Sequence, residues 1–126
     1  MSRRHRAPRL IHVDGEEYRW HVGGGGEGNL LLRVWRAEGR GTRRLHVTVE
    51  FFDLWLYFPW YSIASEERRA ALQIEPVRPR FVAAAVREAR VAGWDPADRR
   101  KVPPACPWPD PVKPEPDALP RPVRVD

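Results

Sequence analysis

The chain has few of the devices that hold small proteins together or equip them for chemistry. It contains one cysteine, Cys106, so no intrachain disulfide can form. Lysine is nearly missing: twenty of its 22 basic residues are arginine, a bias that GC-rich coding tends to give. No stretch approaches the roughly 20 apolar residues that a bilayer-crossing helix needs. The N-terminal MSRRHRAPR is basic with no apolar run behind it, so no signal peptide is expected. These absences point to a soluble cytoplasmic protein that does not insert into membranes.

Chemical motifs are scarce too. There is no P-loop, dinucleotide fingerprint or catalytic triad. Glu16-Glu17 and Glu66-Glu67 are adjacent pairs whose side chains diverge, unlike the facing carboxylates of a hydrolase. Histidines occur only at positions 5, 12, 21 and 46. The strand register derived below puts His12 opposite Glu17 and His21 opposite Pro8, so they do not converge as metal ligands must. Cys106 lies in a proline segment without a neighbouring histidine to activate it. No catalytic residue, metal or cofactor is expected.

The formal charge of +5 is unevenly placed. Residues 1–9 hold four arginines and no acid, residues 10–94 twelve basic and eleven acidic side chains, and residues 95–126 six of each. The basicity belongs to an arm. Three regions follow: a basic arm at 1–8, a single α+β domain at 9–96 and a proline-rich extended tail at 97–126.

Within the domain, Asp14-Gly15 suits a two-residue hairpin turn whose central residues need positive φ. That turn pairs Val13 with Glu16 and Ile11 with Tyr18. Ile11, Val13, Tyr18, Trp20 and Val22 then share one face, and the alternation of LIHVDGEEYRWHV chooses the same register. The run GGGGEGN after it, Gly23–Asn29, reads as a connecting loop, and it lacks the lysine and following helix of a phosphate cradle. Leu30–Glu38 reads as a third strand with Leu30, Leu32 and Val34 inward. Arg43–Phe52 reads as a fourth, with Leu45, Val47, Val49 and Phe51 inward. Ser65–Arg69 resembles a helix start. Pro79–Ala92 forms the main helix, with Phe81, Val82, Ala85, Val86 and Ala89 as its apolar stripe, Pro79 at its first position and Gly93 after its end. The expected architecture is a four-stranded antiparallel meander with this helix across its apolar face.

Two segments stand apart from that frame. FFDLWLYFPWY, Phe51–Tyr61, has seven aromatic residues in eleven, over half of the thirteen in the chain. Aromatic side chains each bury about 150–250 Å² and need covering, so Trp55, Tyr57, Phe58, Trp60 and Tyr61 are candidates for docking on a protein partner or a second copy. Ten of the fourteen prolines lie between Pro96 and Pro122, nine of them in the tail. The tail favours polyproline II and contains two PxxP spacings, Pro104–Pro107 and Pro111–Pro114. It is either a free tail or one strapped along its own domain with Trp108 as anchor.

The hairpin Ile11, Val13, Asp14, Gly15, Tyr18, Trp20 together with the helix end Gly93, Trp94, Asp95, Pro96 resembles a group of short uncharacterised bacterial proteins that pair such a hairpin with a terminal helix closing in Gly-Trp-Asp-Pro. The resemblance implies the same fold and no assigned activity.

The leading functional expectation is a non-catalytic interaction protein, of the regulator, inhibitor or immunity type, docking through the aromatic segment. The alternative is nucleic-acid binding. It would use Arg3, Arg4 and Arg6 of the arm with Arg19, Arg33, Trp35 and Arg44 on the polar sheet face, where His12, His21 and His46 also fall. A third reading takes the tryptophans as a platform for a sugar or another flat ligand.

Overall fold

A computed structural model describes residues 8–26, 29–39, 43–50 and 77–125. The arm arginines Arg3, Arg4 and Arg6, the aromatic segment from Phe51 to Tyr61 and the helix start expected at Ser65–Arg69 lie outside the described residues.

Four strands, β1 (Arg9–Val13), β2 (Glu16–Gly26), β3 (Asn29–Arg36) and β4 (Leu45–Glu50), form one antiparallel sheet in the order β1-β2-β3-β4. Helix α1 (Pro79–Val91) packs on its apolar face. The class is α+β, as the periodicities require. Asp14 (φ 50) and Gly15 (φ 85) both take the positive dihedrals that a two-residue hairpin loop demands. The register is Ile11 with Tyr18, His12 with Glu17 and Val13 with Glu16. Inward residues Val13, Tyr18, Trp20, Leu32, Val34, Leu45, Val47 and Val49 are buried, together with Phe81, Val82, Ala85, Val86 and Ala89 of α1.

One expectation is corrected here. The glycine run does not form a loop from Gly23 onward: Gly23 pairs with Leu31, Gly24 with Leu30 and Gly26 with Asn29, with an irregularity between Gly24 and Gly26. Glycine is a poor strand former, but continued pairing with the apolar β3 overrides that preference, and a bulge is where glycine is tolerated best. The backbone groups of these glycines therefore belong to the ladder.

Helix α1 begins at Pro79, with Phe81 and Val82 N–H donating to the Arg78 carbonyl (2.9 and 3.1 Å). It ends in a Schellman arrangement: Gly93 N–H donates to Arg90 O (3.1 Å) and Trp94 N–H to Ala89 O (2.9 Å). Gly93 has φ 110, and a Cβ there would lie 2.5 Å from the Val125 carbonyl oxygen. Gly93→Ala is expected to cost about 1–3 kcal/mol, read as a lower urea midpoint. An unchanged midpoint would remove this account of the residue.

The buried cluster crosses the boundary expected at Pro96. Ala105, Pro107, Trp108 and Val112 are buried among the sheet and helix residues. The tail runs parallel to β4 along its free edge, bridging at Leu45–Ala105 and Val49–Val112. Ala105 N–H donates to Arg44 O (2.8 Å) and His46 N–H to Ala105 O (2.9 Å). Val112 N–H donates to Thr48 O (2.9 Å) and Glu50 N–H to Val112 O (2.7 Å). A step of seven positions in the tail thus matches a step of four in β4, and the surplus arches so that Trp108 enters the core. The tail then turns through a short 3-10 segment (Pro116–Ala118) against α1. It returns beneath itself, with Trp108 Nε1 donating to Pro120 O (2.8 Å), Val123 N–H to Pro107 O (2.8 Å) and Val125 N–H to Ala92 O (2.7 Å). Both PxxP spacings are used in this way, since Ala105 and Val112 each follow the first proline of one.

The bend into the strap is pinned by carboxylates. Asp95 accepts from Ala97 N–H, and Asp98 accepts from the Arg100 backbone N–H and, through both oxygens, from its guanidinium. The Arg100 hydrogen bonds hold the Asp98 carboxyl well below its ordinary range, at about 2.

Candidate functional site

With α1 on the apolar face and the strap at the β4 edge, the outward side of the meander carries the polar side chains. Alternation fixes which ones: in β2, Glu17, Arg19, His21 and Gly23; in β3, Leu31, Arg33 and Trp35; in β4, His46, Thr48 and Glu50, with Arg44 just ahead of the strand. The ladder sets them in rows. Arg19 stands opposite Trp35, and His21 opposite Arg33, which in turn faces His46. The Arg44 guanidinium lies over the Trp35 ring, 4.7 Å from its centroid. The result is a block two rows deep and three strands wide, with Arg19, Trp35 and Arg44 in one row and His21, Arg33 and His46 in the next. Four residues expected from the sequence, Arg19, Arg33, Trp35 and Arg44, are brought together here.

The acids of this face sit at its ends. Glu17 is occupied by His12 (3.1 Å), and Glu50 is at the far end of β4. Within the block, Arg19 and Arg33 make no ion pair among the described residues. A Cβ at Gly23 would meet the Arg33 guanidinium at 3.4 Å and the His21 ring at 3.5 Å, ordinary van der Waals distances. Arg33 thus lies along the face over Gly23, a placement that strand spacing alone does not reveal.

His46 reports the field of the block. Burial, and then the positive charges of Arg33 and Arg44, lower its pKa from the ordinary histidine value. Because the folded state disfavours the imidazolium, the unfolded chain binds the extra proton. The stabilising contribution is full above the unfolded pKa and is lost as the pH falls from there through the lower folded value. Urea midpoints are expected to drop between pH 7.5 and 5.5 less steeply in His46→Gln than in the parent. Equal slopes would deny His46 that role.

A second polar cluster ties the first hairpin to the helix. Arg90 donates to Tyr18 Oη (2.7 Å) and Glu16 (3.1 Å), Tyr18 donates to Glu16 (2.9 Å), and Arg87 pairs with Asp14 (3.2 Å). The Tyr18 hydrogen bond is the main cause lowering the Glu16 pKa, while burial raises that of Tyr18. A shallow depression of about 310 Å³ beside it is lined by His12, Gly15, Glu16, Glu17, Arg36 and Glu38. Two of its three carboxylates already have partners. Among the described residues no group of three or more His, Cys, Asp or Glu is placed to hold a metal ion. None of the described helices is long and apolar enough to cross a membrane.

The hairpin and helix-end residues singled out in the sequence have structural duties: Asp14 and Gly15 make the turn, Tyr18, Trp20 and Trp94 fill the core, and Gly93 ends α1. No protein-family model matches the chain, and neither a curated protein nor a solved structure matches it.

Proposed function

We propose that the chain is a small non-catalytic interaction protein whose basic sheet face docks on an extended polyanion, nucleic acid being the class its chemistry fits. The observation that carries this reading is the block of arginines around Trp35, of which Arg19 and Arg33 have no ion-pair partner among the described residues, on a side of the sheet that neither α1 nor the strap crosses. Neutralised phosphates release counterions, so binding weakens steeply with salt. Three guanidiniums on the face give a log–log salt slope of about −2 for a single strand, and the three arm arginines extend it to about −4. Deleting residues 1–8 should shift the slope between those values, measured by fluorescence anisotropy from 50 to 200 mM salt. The double variant Arg19→Glu, Arg33→Glu should lose at least about ten-fold in affinity at unchanged circular dichroism. Affinity indifferent to both changes would sink the proposal.

A second reading, docking of a protein partner or a second copy through Trp55, Tyr57, Phe58, Trp60 and Tyr61, draws support from the tail. Trp94 and Trp108, the tryptophans that follow α1, are buried and spend their indole N–H groups on the Arg43 and Pro120 carbonyls. Light scattering across a concentration series tests it: the parent should self-associate or retain a partner, and Trp55→Ala with Trp60→Ala should lose it while staying folded. A monomeric parent whose variants simply unfold argues for a core role instead.

A further inference from the structure

Resting on the polyanion reading of the sheet face, we infer that its ligand is a single-stranded nucleic acid, with one base stacked on Trp35 in place of the Arg44 guanidinium and a phosphate drawn to Arg33 between His21 and His46.

The first argument is the stacking already present. Arg44 is exposed, and its planar guanidinium covers the Trp35 ring at 4.7 Å. A ring that holds one flat cation of its own chain on its face presents that face to a flat base when the cation moves aside, and base–aromatic stacking is indifferent to base identity. A base arriving there frees Arg44 to meet the adjoining phosphate, so the exchange keeps the cation in use. A charge-only ligand gains nothing from Trp35.

The second argument is size and shape. The block is three strands wide, about 10 Å, and two side-chain rows deep, about 7 Å. Duplex recognition usually sends a helix or a two-stranded ribbon into a major groove about 12 Å wide. Here the face is the open side of a four-stranded sheet, and the β1–β2 hairpin is tied down at its tip by the Arg87–Asp14 and Arg90–Glu16 pairs. Helix α1 gives its apolar stripe to the core. A sheet face with guanidiniums that have no ion-pair partner among the described residues, beside one aromatic, suits a few nucleotides of splayed single strand.

The third argument is where the acids lie. Glu17 and Glu50 bound the block at opposite ends of its strands, and the central rows hold only cations, histidines and Trp35. A strand crossing the two central rows from β2 to β4 meets no carboxylate of the described sheet residues, whereas one running along a strand does. The bound chain therefore crosses the β-strands.

The test uses the full chain and three probes: a fluorescein-labelled oligo(dT) 12-mer, a 12-base-pair duplex and inorganic polyphosphate of matched charge as competitors. The single strand is expected to bind about ten-fold or more tighter than either competitor. Trp35→Ala should erase that preference, lowering oligonucleotide affinity about ten-fold and leaving polyphosphate affinity unchanged. Trp35→Phe should retain most of it, which separates a stacking role from a structural one. Equal affinity for oligonucleotide and polyphosphate, a duplex that binds as well as the single strand, or full affinity in Trp35→Ala overturns the inference and leaves the polyanion reading standing. If none of the three probes binds, both fall.

Discussion

Truncation before Pro104 is expected to abolish cooperative unfolding, and Trp108→Ala alone to cost about 3–5 kcal/mol. The reason is that the proline-rich tail closes the fold. Trp108 is 3% exposed and its indole N–H is bonded to Pro120, so alanine removes both the ring from the core and the pin that folds the tail on itself. Truncation goes further: it takes away Ala105, Pro107 and Val112 and unpairs four backbone groups along β4. A domain of this size holds only about 5–15 kcal/mol in total, and small domains have little surface to lose. Urea denaturation followed by circular dichroism reads both effects. A truncated chain with the parent's midpoint would mean that the strap contributes nothing to stability.

The second large effect is expected at Trp94. The ring is 1% exposed, tilted against Tyr18 at 5.9 Å between centroids, and its Nε1 donates to the Arg43 carbonyl at 3.0 Å. Trp94→Ala should cost about 3–5 kcal/mol. Trp94→Phe keeps much of the packing and loses the hydrogen bond, so a smaller cost of about 1–3 kcal/mol is expected. The two variants together separate ring burial from the carbonyl bond. If both cost the same, the hydrogen bond dominates and the packing account is wrong.

The meander and helix could be read from residues because their signals are local. Asp14-Gly15 fixes a turn, alternation fixes a face, and each agrees with the other. The same alternation placed Arg19, Arg33, Trp35 and Arg44 on one side of the sheet. Other features depend on contacts between distant positions and leave no periodic trace. Gly23 to Gly26 read as a loop because glycine disfavours strands, and only the partner β3 decides otherwise. The strap pairs Ala105 with Leu45 and Val112 with Val49, sixty-odd residues apart, through a segment whose composition spells polyproline II. The seat of the Arg33 guanidinium over Gly23 is likewise a tertiary contact, as is the stacking of Arg44 on Trp35.

The strap also decides what the sheet can do at its last edge. Ala105 and Val112 turn both backbone groups toward β4, so the residues just before them, Pro104 and Pro111, face away from the sheet. On an ordinary edge strand those positions would present N–H groups to any passing strand, inviting polymerisation. Proline has no such hydrogen to give. The prolines therefore blunt the ladder: the strap adds a fourth row of hydrogen bonds on its inner side, and Pro104 and Pro111 lack donors for a fifth on its outer side.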